Sequence, residues 1–408
     1  MISWRMLKLS DPQLWAAVVA LIFIGLLAIF SSTFKSSFDA WFFVKRQLLS
    51  LLLGLGGLAV FLYFDYRHLK KASPYFYTLS LLFLAGVLFA GASALGAQRW
   101  VQLGPFSFQP SELSKLSLII VIAAFFSERR KFNSLWEIGA LLVLFGLPFL
   151  LTFKQPDLGT ALVFAAILIG MLAASDTSPK MLLIITTPLV SLLLRPIFYL
   201  WIVYLIAIAG YLFLTRAKFS DWALILGLNL AVGVALPFIW HMLKVYQRQR
   251  IVAFLNPGAD PYGAGYHTLQ SMIAVGGGGF FGKGFLQGTQ TQLQFIPEQH
   301  SDFIFSVIGE EFGFLGSLLV LGLFALIVWR ALKIAGQARD RLGGLLAAGI
   351  ATMLTFHVFA NVGMAVGILP VVGIPLPLMS FGGTSLFVSL AAVGILQNIA
   401  MRRHKIIF

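Results

Sequence analysis

"KMLLIITTPLVSLLLRPIFYLWIVYLIAIAGYLFL", residues 180–214, decides the architecture. It is apolar almost throughout and too long for one straight crossing, since about 20 apolar residues span a bilayer as helix. Arg195 and Pro196 stand near its middle, in "LLLRPIFYLW", and a proline there either kinks a helix or ends it. A single kinked span would reverse the sidedness of every later loop. Two helices, 180–194 and 196–214 about a tight turn, would leave it unchanged.

Charge chooses between them. Apolar windows elsewhere fall at about 12–31, 46–64, 74–95, 112–127, 136–153, 157–175, 222–242, 302–330, 343–367 and 377–401, so the two-helix reading gives about twelve spans. Both termini then share one side with "DYRHLKK", "SERRKF", "TRAKFSD", "WRALKIAGQARDR" and "MRRHK". That side receives about 18 of the Lys and Arg residues and the other about 11, so it is cytoplasmic by the positive-inside rule. One span at 180–214 would export the basic C-terminal clusters.

The whole composition agrees. Of 408 residues 59% are hydrophobic and 11% charged, with mean hydropathy +0.92. A soluble domain carries about 25% charged residues. The expectation is one all-α polytopic membrane domain over 1–408, a helical bundle of 10–12 spans with a structured extracytoplasmic loop cap. There are no cysteines, which excludes disulfide and thiolate chemistry. The N-terminal "MISWRMLKLSDPQLW" lacks a signal-peptide cleavage pattern, so its first apolar segment is expected to stay in the membrane. A net charge of +14 does not indicate nucleic acid here, because the basic residues sit in short clusters between spans.

The non-cytoplasmic loops are rich in Gly, Pro and aromatics: "GAQRWVQLGPFSFQPSEL", "FKQPDLGT", the large loop at 243–301, and "ILPVVGIPLPLMSFGG". Irregular backbone near a membrane must be buried in protein or line a wet cavity. Seven of the 15 acids fall in or beside cytoplasmic loops as solvated charge; Asp39, Glu112, Asp157, Asp260, Glu298, Asp302, Glu310 and Glu311 lie on the other side. In "QPSELSKL", Pro110 opens a helix with Ser111 as N-cap, Glu112 in the first turn and Lys115 at i+3 on the same face. A local salt bridge explains that pair; so does a cavity, because ionisable groups inside a span usually face one. In "QPDLGT", Pro156 opens a helix with Asp157 in its first turn. Asp260, in "NPGADPYGAGYH" (256–267), lies between Pro257 and Pro261, where no ordinary helix begins; the plain alternative is a turn aspartate bonding its own backbone. "AVGGGGFFGKG" is not a phosphate loop, since Gly284 follows Lys283, and reads as flexible or tightly packed backbone. The six histidines form no metal motif, and His267 and His300 read as structural hydrogen-bonders. Asp302, Glu310 and Glu311 are explained plainly by helix-start capping and packing.

Taken together, "GAQRWVQLG", "FQPSELSKL", "QPDLGTALV", "YQRQRIVAFLNPGADPYGAGYH", "GKGFLQGTQTQLQFIPEQHSDFIFSVIGEEFGFLG" and "NVGMAVGILPVVGIPLPLMSFGGTSL" resemble the SEDS family (shape, elongation, division and sporulation). They run in order from about residue 96 to about 385, and the "GAQRW" and "ILPVVGIPLPLMSFGG" wording leans to its RodA-type branch. Family members usually show ten spans, so residues 180–220 stand out as an inserted helix pair. The resemblance implies a peptidoglycan glycosyltransferase that polymerises lipid II, carried on undecaprenyl pyrophosphate, at the outer face of the bacterial cytoplasmic membrane. It implies a class B penicillin-binding protein as transpeptidase partner, alongside other elongation-machinery proteins. By the same resemblance Asp260 is the essential carboxylate, a general base in an inverting displacement. Arg46 and Lys115 match cavity and lipid-binding positions. Arg248, Arg250 and Trp100 are further substrate-site candidates. Glu112 and Asp157 would line the same cavity, holding Lys115 or coordinating a divalent cation such as Mg or Mn; no other cofactor is implied. Two other functions fit a polytopic bundle: a lipid II flippase, which needs access from both faces, and a non-catalytic scaffold for the penicillin-binding protein, which needs no Asp260.

Overall fold

The computed structural model describes residues 8–35, 40–90, 92–94, 97–103, 106–128, 134–243, 248, 252, 254 and 265–403. Arg250 and Asp260 lie outside the described residues. Among the described residues there are twelve long helices: α1 (Pro12–Thr33), α2 (Ala40–Tyr63), α3 (His68–Ala90), α4 (Pro110–Ser127), α5 (Leu135–Lys154), α6 (Leu158–Ala174), α7 (Pro179–Leu194), α8 (Phe198–Leu214), α9 (Phe219–Met242), α12 (Ile304–Gly336), α13 (Arg341–Ala365) and α14 (Gly383–Arg402). Two short helices, α10 (Tyr266–Gly277) and α11 (Thr289–Gln292), precede α12. Nine of the long helices are long and apolar enough to cross a membrane among the described residues. The other three, α6 to α8, have 17, 16 and 17 residues, at the lower limit for a span. The protein is an all-α polytopic membrane protein.

The sequence sets the helix starts. Asp11 accepts from Leu14 N at 3.1 Å with Pro12 at the first helical position, and Ser134 with Glu137 forms a capping box. Two expected starts differ in detail. Gln109, not Ser111, occupies the N-cap of α4, because Pro110 already has helical backbone. Asp157 is itself the N-cap of α6, accepting from Thr160 N at 3.2 Å. The expected span at 74–95 instead ends at Ala90. The chain then forms a small antiparallel sheet of β1 (Ala92–Ala94), β2 (Ala97–Leu103) and β3 (Phe106–Phe108), in which Val101 faces Phe108.

Residues 179–242 settle the opening question. Trp201 Nε1 donates to Ser191 Oγ at 2.6 Å and Tyr204 OH to the Thr187 carbonyl at 3.0 Å, so α8 folds back antiparallel on α7. Ser191 Oγ reaches the Asn229 carbonyl at 3.4 Å and Arg195 Nε the Gly233 carbonyl at 3.1 Å, so α9 runs parallel to α7. The chain therefore turns at Arg195–Ile197 rather than kinking. These three helices bond chiefly to one another. An apolar groove of about 600 Å³, lined by residues such as Leu162, Leu189, Leu332 and Phe359, separates α7 from α12 and α13.

Helices α4 and α14 are buried along most of their length and form the middle of the bundle. At one end, Arg330 of α12 is ion-paired with Asp11, whose backbone is bracketed by Gln397, and Asn398 donates to the carbonyls of Phe61, Leu62 and Phe64. Beside them Asp65 is drawn up by burial but more strongly down by the Arg67 bonds and Arg402, so its carboxyl stays below the usual value.

The other end carries the loops. The glycine-rich segment packs tightly there rather than hanging free. Helix α12 breaks at Gly313, whose φ is +65°. Residues 279–284 fill the break: Phe314 N bonds the Gly279 carbonyl at 2.9 Å, and Lys283 N and Gly284 N bond the carbonyls of Glu310 and Glu311, each at 3.0 Å. A side chain at Gly313 would collide with the backbone of Gly282. The loop 366–382 closes the same end, its Phe381 N bonded to the His300 carbonyl and Ser380 Oγ to the Ser301 carbonyl. Gly25 of α1 abuts it: a Cβ there would lie 2.6 Å from Met379 Cα.

Candidate functional site

At the loop end a small polar cavity of about 210 Å³ is lined by Arg46, Ser50, Trp100, Ser107, His300 and the first glycines of α14. Arg46 comes from the second turn of α2 and Trp100 from β2, so the strand hairpin forms one wall. Arg46 Nη2 reaches Ser107 Oγ at 3.4 Å. Two of the expected substrate-site residues thus meet in one cavity. His300 lies beside Phe43 and Phe381; burial lowers its pKa below the ordinary histidine value, against a smaller upward pull from Glu298.

A polar seam leads inward from this cavity. Thr384 donates to the Ser107 carbonyl at 3.2 Å and accepts from Gln109 N at 3.0 Å. Gln109 Nε2 donates to Ser111 Oγ at 3.0 Å and to Asp157 Oδ2 at 3.2 Å, and Ser111 Oγ lies 3.3 Å from the same oxygen. Next to Ser111 in the first turn of α4, Glu112 accepts from Lys115 Nζ at 2.6 Å, and Lys115 is also 2.9 Å from His357 Nε2 of α13. Lys115 is 1% exposed, Glu112 4% and Asp157 2%, so all three are sealed within the protein rather than lining the open cavity. The i,i+3 spacing that suggested a pair on one face of α4 does produce one.

Asp157 is held differently. It takes Thr160 Oγ1 at 2.9 Å, and Arg99 Nη1 stands 3.8 Å from its other oxygen, while Arg99 Nε and Nη2 donate to the carbonyls of Gln155 and Pro156. Neither acid is arranged as a metal ligand: Glu112 is engaged by an ammonium and Asp157 by hydroxyl, amide and guanidinium donors. Among the described residues no group of three or more His, Asp and Glu side chains is placed to hold an ion. Arg248 donates to the carbonyls of Leu243 and His241, at 3.0 and 3.1 Å, and so closes the C-terminal end of α9 away from the seam.

The sequence reading missed Arg99, Gln109, Thr384 and His357. Arg99 was within reach, because it precedes Trp100 in a motif already singled out. His357 gave no local signal: its partner is 242 positions away.

The chain is similar to known proteins over nearly its whole length. The family of cell cycle proteins that takes in FtsW, RodA and SpoVE matches residues 12–211 and 179–405, the two matches overlapping across α7 and most of α8. Peptidoglycan glycosyltransferase MrdB of Escherichia coli strain K12 is 36% identical over 397 residues, covering 97% of this chain and 95% of that protein. Peptidoglycan glycosyltransferase RodA of Treponema pallidum strain Nichols is 33% identical over 427 residues, covering 96% and 98%. A chain from a solved structure, on coordination of polymerization and crosslinking by a peptidoglycan synthase complex, aligns with TM-score 0.74 at 29% identity, covering 97% of this chain and 99% of that one.

Proposed function

The chain belongs to the FtsW, RodA and SpoVE family of cell cycle proteins, and from that premise we propose that it is a RodA-type peptidoglycan glycosyltransferase that polymerises lipid II during cell elongation. The observation that carries the reading is the polar seam that runs inward from the Arg46–Trp100 cavity through Ser107, Thr384 and Gln109 to Asp157, with the buried Glu112–Lys115 pair next to Ser111 on the same helix start. The loop end faces outward from the bacterial cytoplasmic membrane and both termini lie inside, as the basic loops require.

The chemistry matches the side chains. The acceptor's 4-hydroxyl attacks the anomeric carbon of the donor, the α link inverts to β, and undecaprenyl pyrophosphate leaves. Asp260 takes the hydroxyl proton, a role worth about 10²–10⁴-fold. Arg46, in the cavity wall, supplies positive charge to the pyrophosphate directly as its negative charge develops, and Lys115, buried beneath the cavity, adds its charge through the low-dielectric interior without touching the substrate. Trp100 offers an apolar face to a sugar ring. A class B penicillin-binding protein crosslinks the strands as partner, with other elongation proteins assembled around the pair.

The test is lipid II polymerisation by purified protein with that partner, its transpeptidase blocked, comparing wild type with Asp260→Asn at matched melting temperature. Strands from wild type and none from the mutant are expected. Strands from both would move the base elsewhere, with Glu112 and Asp157 next. No strands from wild type, in an intact complex, would shift the function to lipid II flipping or to scaffolding.

A further inference from the structure

His357 sits on α13, 3% exposed, with no role in the chemistry above. Its ring is fixed at both nitrogens. Nδ1 lies 3.2 Å from the Pro375 carbonyl, and a carbonyl oxygen only accepts, so Nδ1 carries the proton. Nε2 is then a lone pair facing Lys115 Nζ at 2.9 Å, and the ammonium donates to it. A proton on Nε2 would set two cations against each other in a buried site, so this neutral tautomer is the one the geometry selects.

The Pro375 carbonyl is itself held in place. Asn361, one turn along the same face of α13, donates at 2.8 Å to the Ile374 carbonyl and at 2.8 Å to the Asp302 carbonyl. Helix α13 thus grips two successive carbonyls of the "GIPLPLMS" loop, one through Asn361 and one through His357. Lys115 has three N–H donors, and Glu112 and His357 take two of them from different helices. Glu112 alone, on the same helix, would let the long lysine chain swing about the α4 axis; the second acceptor removes that freedom.

We propose that His357 is a positioning residue for Lys115: fixed by the loop carbonyl at Pro375, its imidazole accepts from the ammonium and holds that buried cation at a set place beneath the cavity, from which its charge favours the departing pyrophosphate. This rests on the reading of Lys115 as a cation for the leaving group. It gives the "GIPLPLMS" loop a task, that of orienting a side chain on the neighbouring helix through its backbone.

The experiment uses the full chain with its partner in the same polymerisation assay, melting temperatures measured in parallel, and four variants: His357→Phe, His357→Gln, Lys115→Met and the double His357→Phe/Lys115→Met. His357→Phe keeps the ring volume but removes the acceptor, and should lower kcat about tenfold or more with little change in KM, because the charge it positions matters most in the transition state. His357→Gln, which restores an acceptor, should recover to within about threefold of wild type. The double variant should be no slower than Lys115→Met alone, since a residue acting only through Lys115 has nothing left to position. A wild-type kcat for folded His357→Phe, or losses that multiply in the double variant, would overturn the proposal. If His357→Phe does not fold, His357→Met takes its place with the same expectation. If wild type makes no strands, the functional reading fails, while non-additive melting temperatures across the same four variants still report whether the two side chains are coupled.

Discussion

Two lysine–glutamate pairs stand at the loop end, and they are built differently. Glu310 is 0% exposed and takes five donors: Lys283 Nζ at 2.9 Å, Thr289 Oγ1 at 3.1 Å, the backbone N–H groups of Gln290 and Thr291, and Thr291 Oγ1. It caps α11 and ties the glycine-rich segment to α12. Glu112, equally buried, has one donor among the described residues, Lys115. A saturated carboxylate is part of the scaffold. A carboxylate buried with a single ammonium leaves acceptor capacity unused, which a stability-driven core does not favour.

The largest effect should come from Glu310→Ala. The N–H groups of Gln290 and Thr291 would each lose their acceptor at about 1–3 kcal/mol, so thermal melting in detergent should fall steeply. The activity of the molecules that do fold should survive. An unchanged melting temperature would erase the contrast between the pairs. The next effect separates stability from activity. Glu112→Leu with Lys115→Met removes both charges at similar volume, which for buried pairs is often neutral or stabilising, so melting should fall only by what His357 Nε2 loses as an unsatisfied acceptor, about 1–3 kcal/mol, while polymerisation falls about 100-fold or more. The matching double change at Glu310 and Lys283 should still destabilise, because the N–H groups of Gln290 and Thr291 lose their acceptor at about 1–3 kcal/mol each. Asp157→Ala should cost about 1 kcal/mol from the lost N-cap of α6 and about 1–3 kcal/mol more from the half-buried Gln109 amide left without this acceptor, visible as a moderate drop in melting temperature.

The smallest effect is one of pH. Burial holds His300 below the ordinary value of about 6.5, so the unfolded chain binds its proton more readily than the folded one. The stability it contributes is present above about pH 6.5 and is lost as pH falls through the folded value, by less than about 1.4 kcal/mol per pH unit. Melting curves from neutral to mildly acid pH should show this slope, and His300→Gln should flatten it.

Much of this was readable from the chain because it is local. Asp11–Pro12, Ser178–Pro179 and Gln109–Pro110 mark helix starts by proline at the first position, and a lysine three residues after a glutamate predicts their pairing on one face. The parity of spans followed from charge alone, and the turn at Arg195–Ile197 agrees with it. What could not be read was set by contacts across the sequence. Nothing near Glu310 announces that it caps a helix about twenty positions upstream, and nothing near His357 points to Lys115. The short sheet was also hidden, because two of its three strands have only three residues and carry too little alternation to compete with the apolar run before them.

Helix α1 looks like a simple anchor, yet it serves the loop as an abutment serves an arch. The backbone at Gly25 bears directly on Met379, and at the far end Arg330 and Gln397 pin Asp11, so the helix has no room to retreat. The span of the 366–382 loop is therefore fixed by the first helix as much as by its own prolines. A methyl group added at Gly25, far from the loop along the chain, would have to be absorbed by that loop, a few residues from the Pro375 carbonyl that fixes His357.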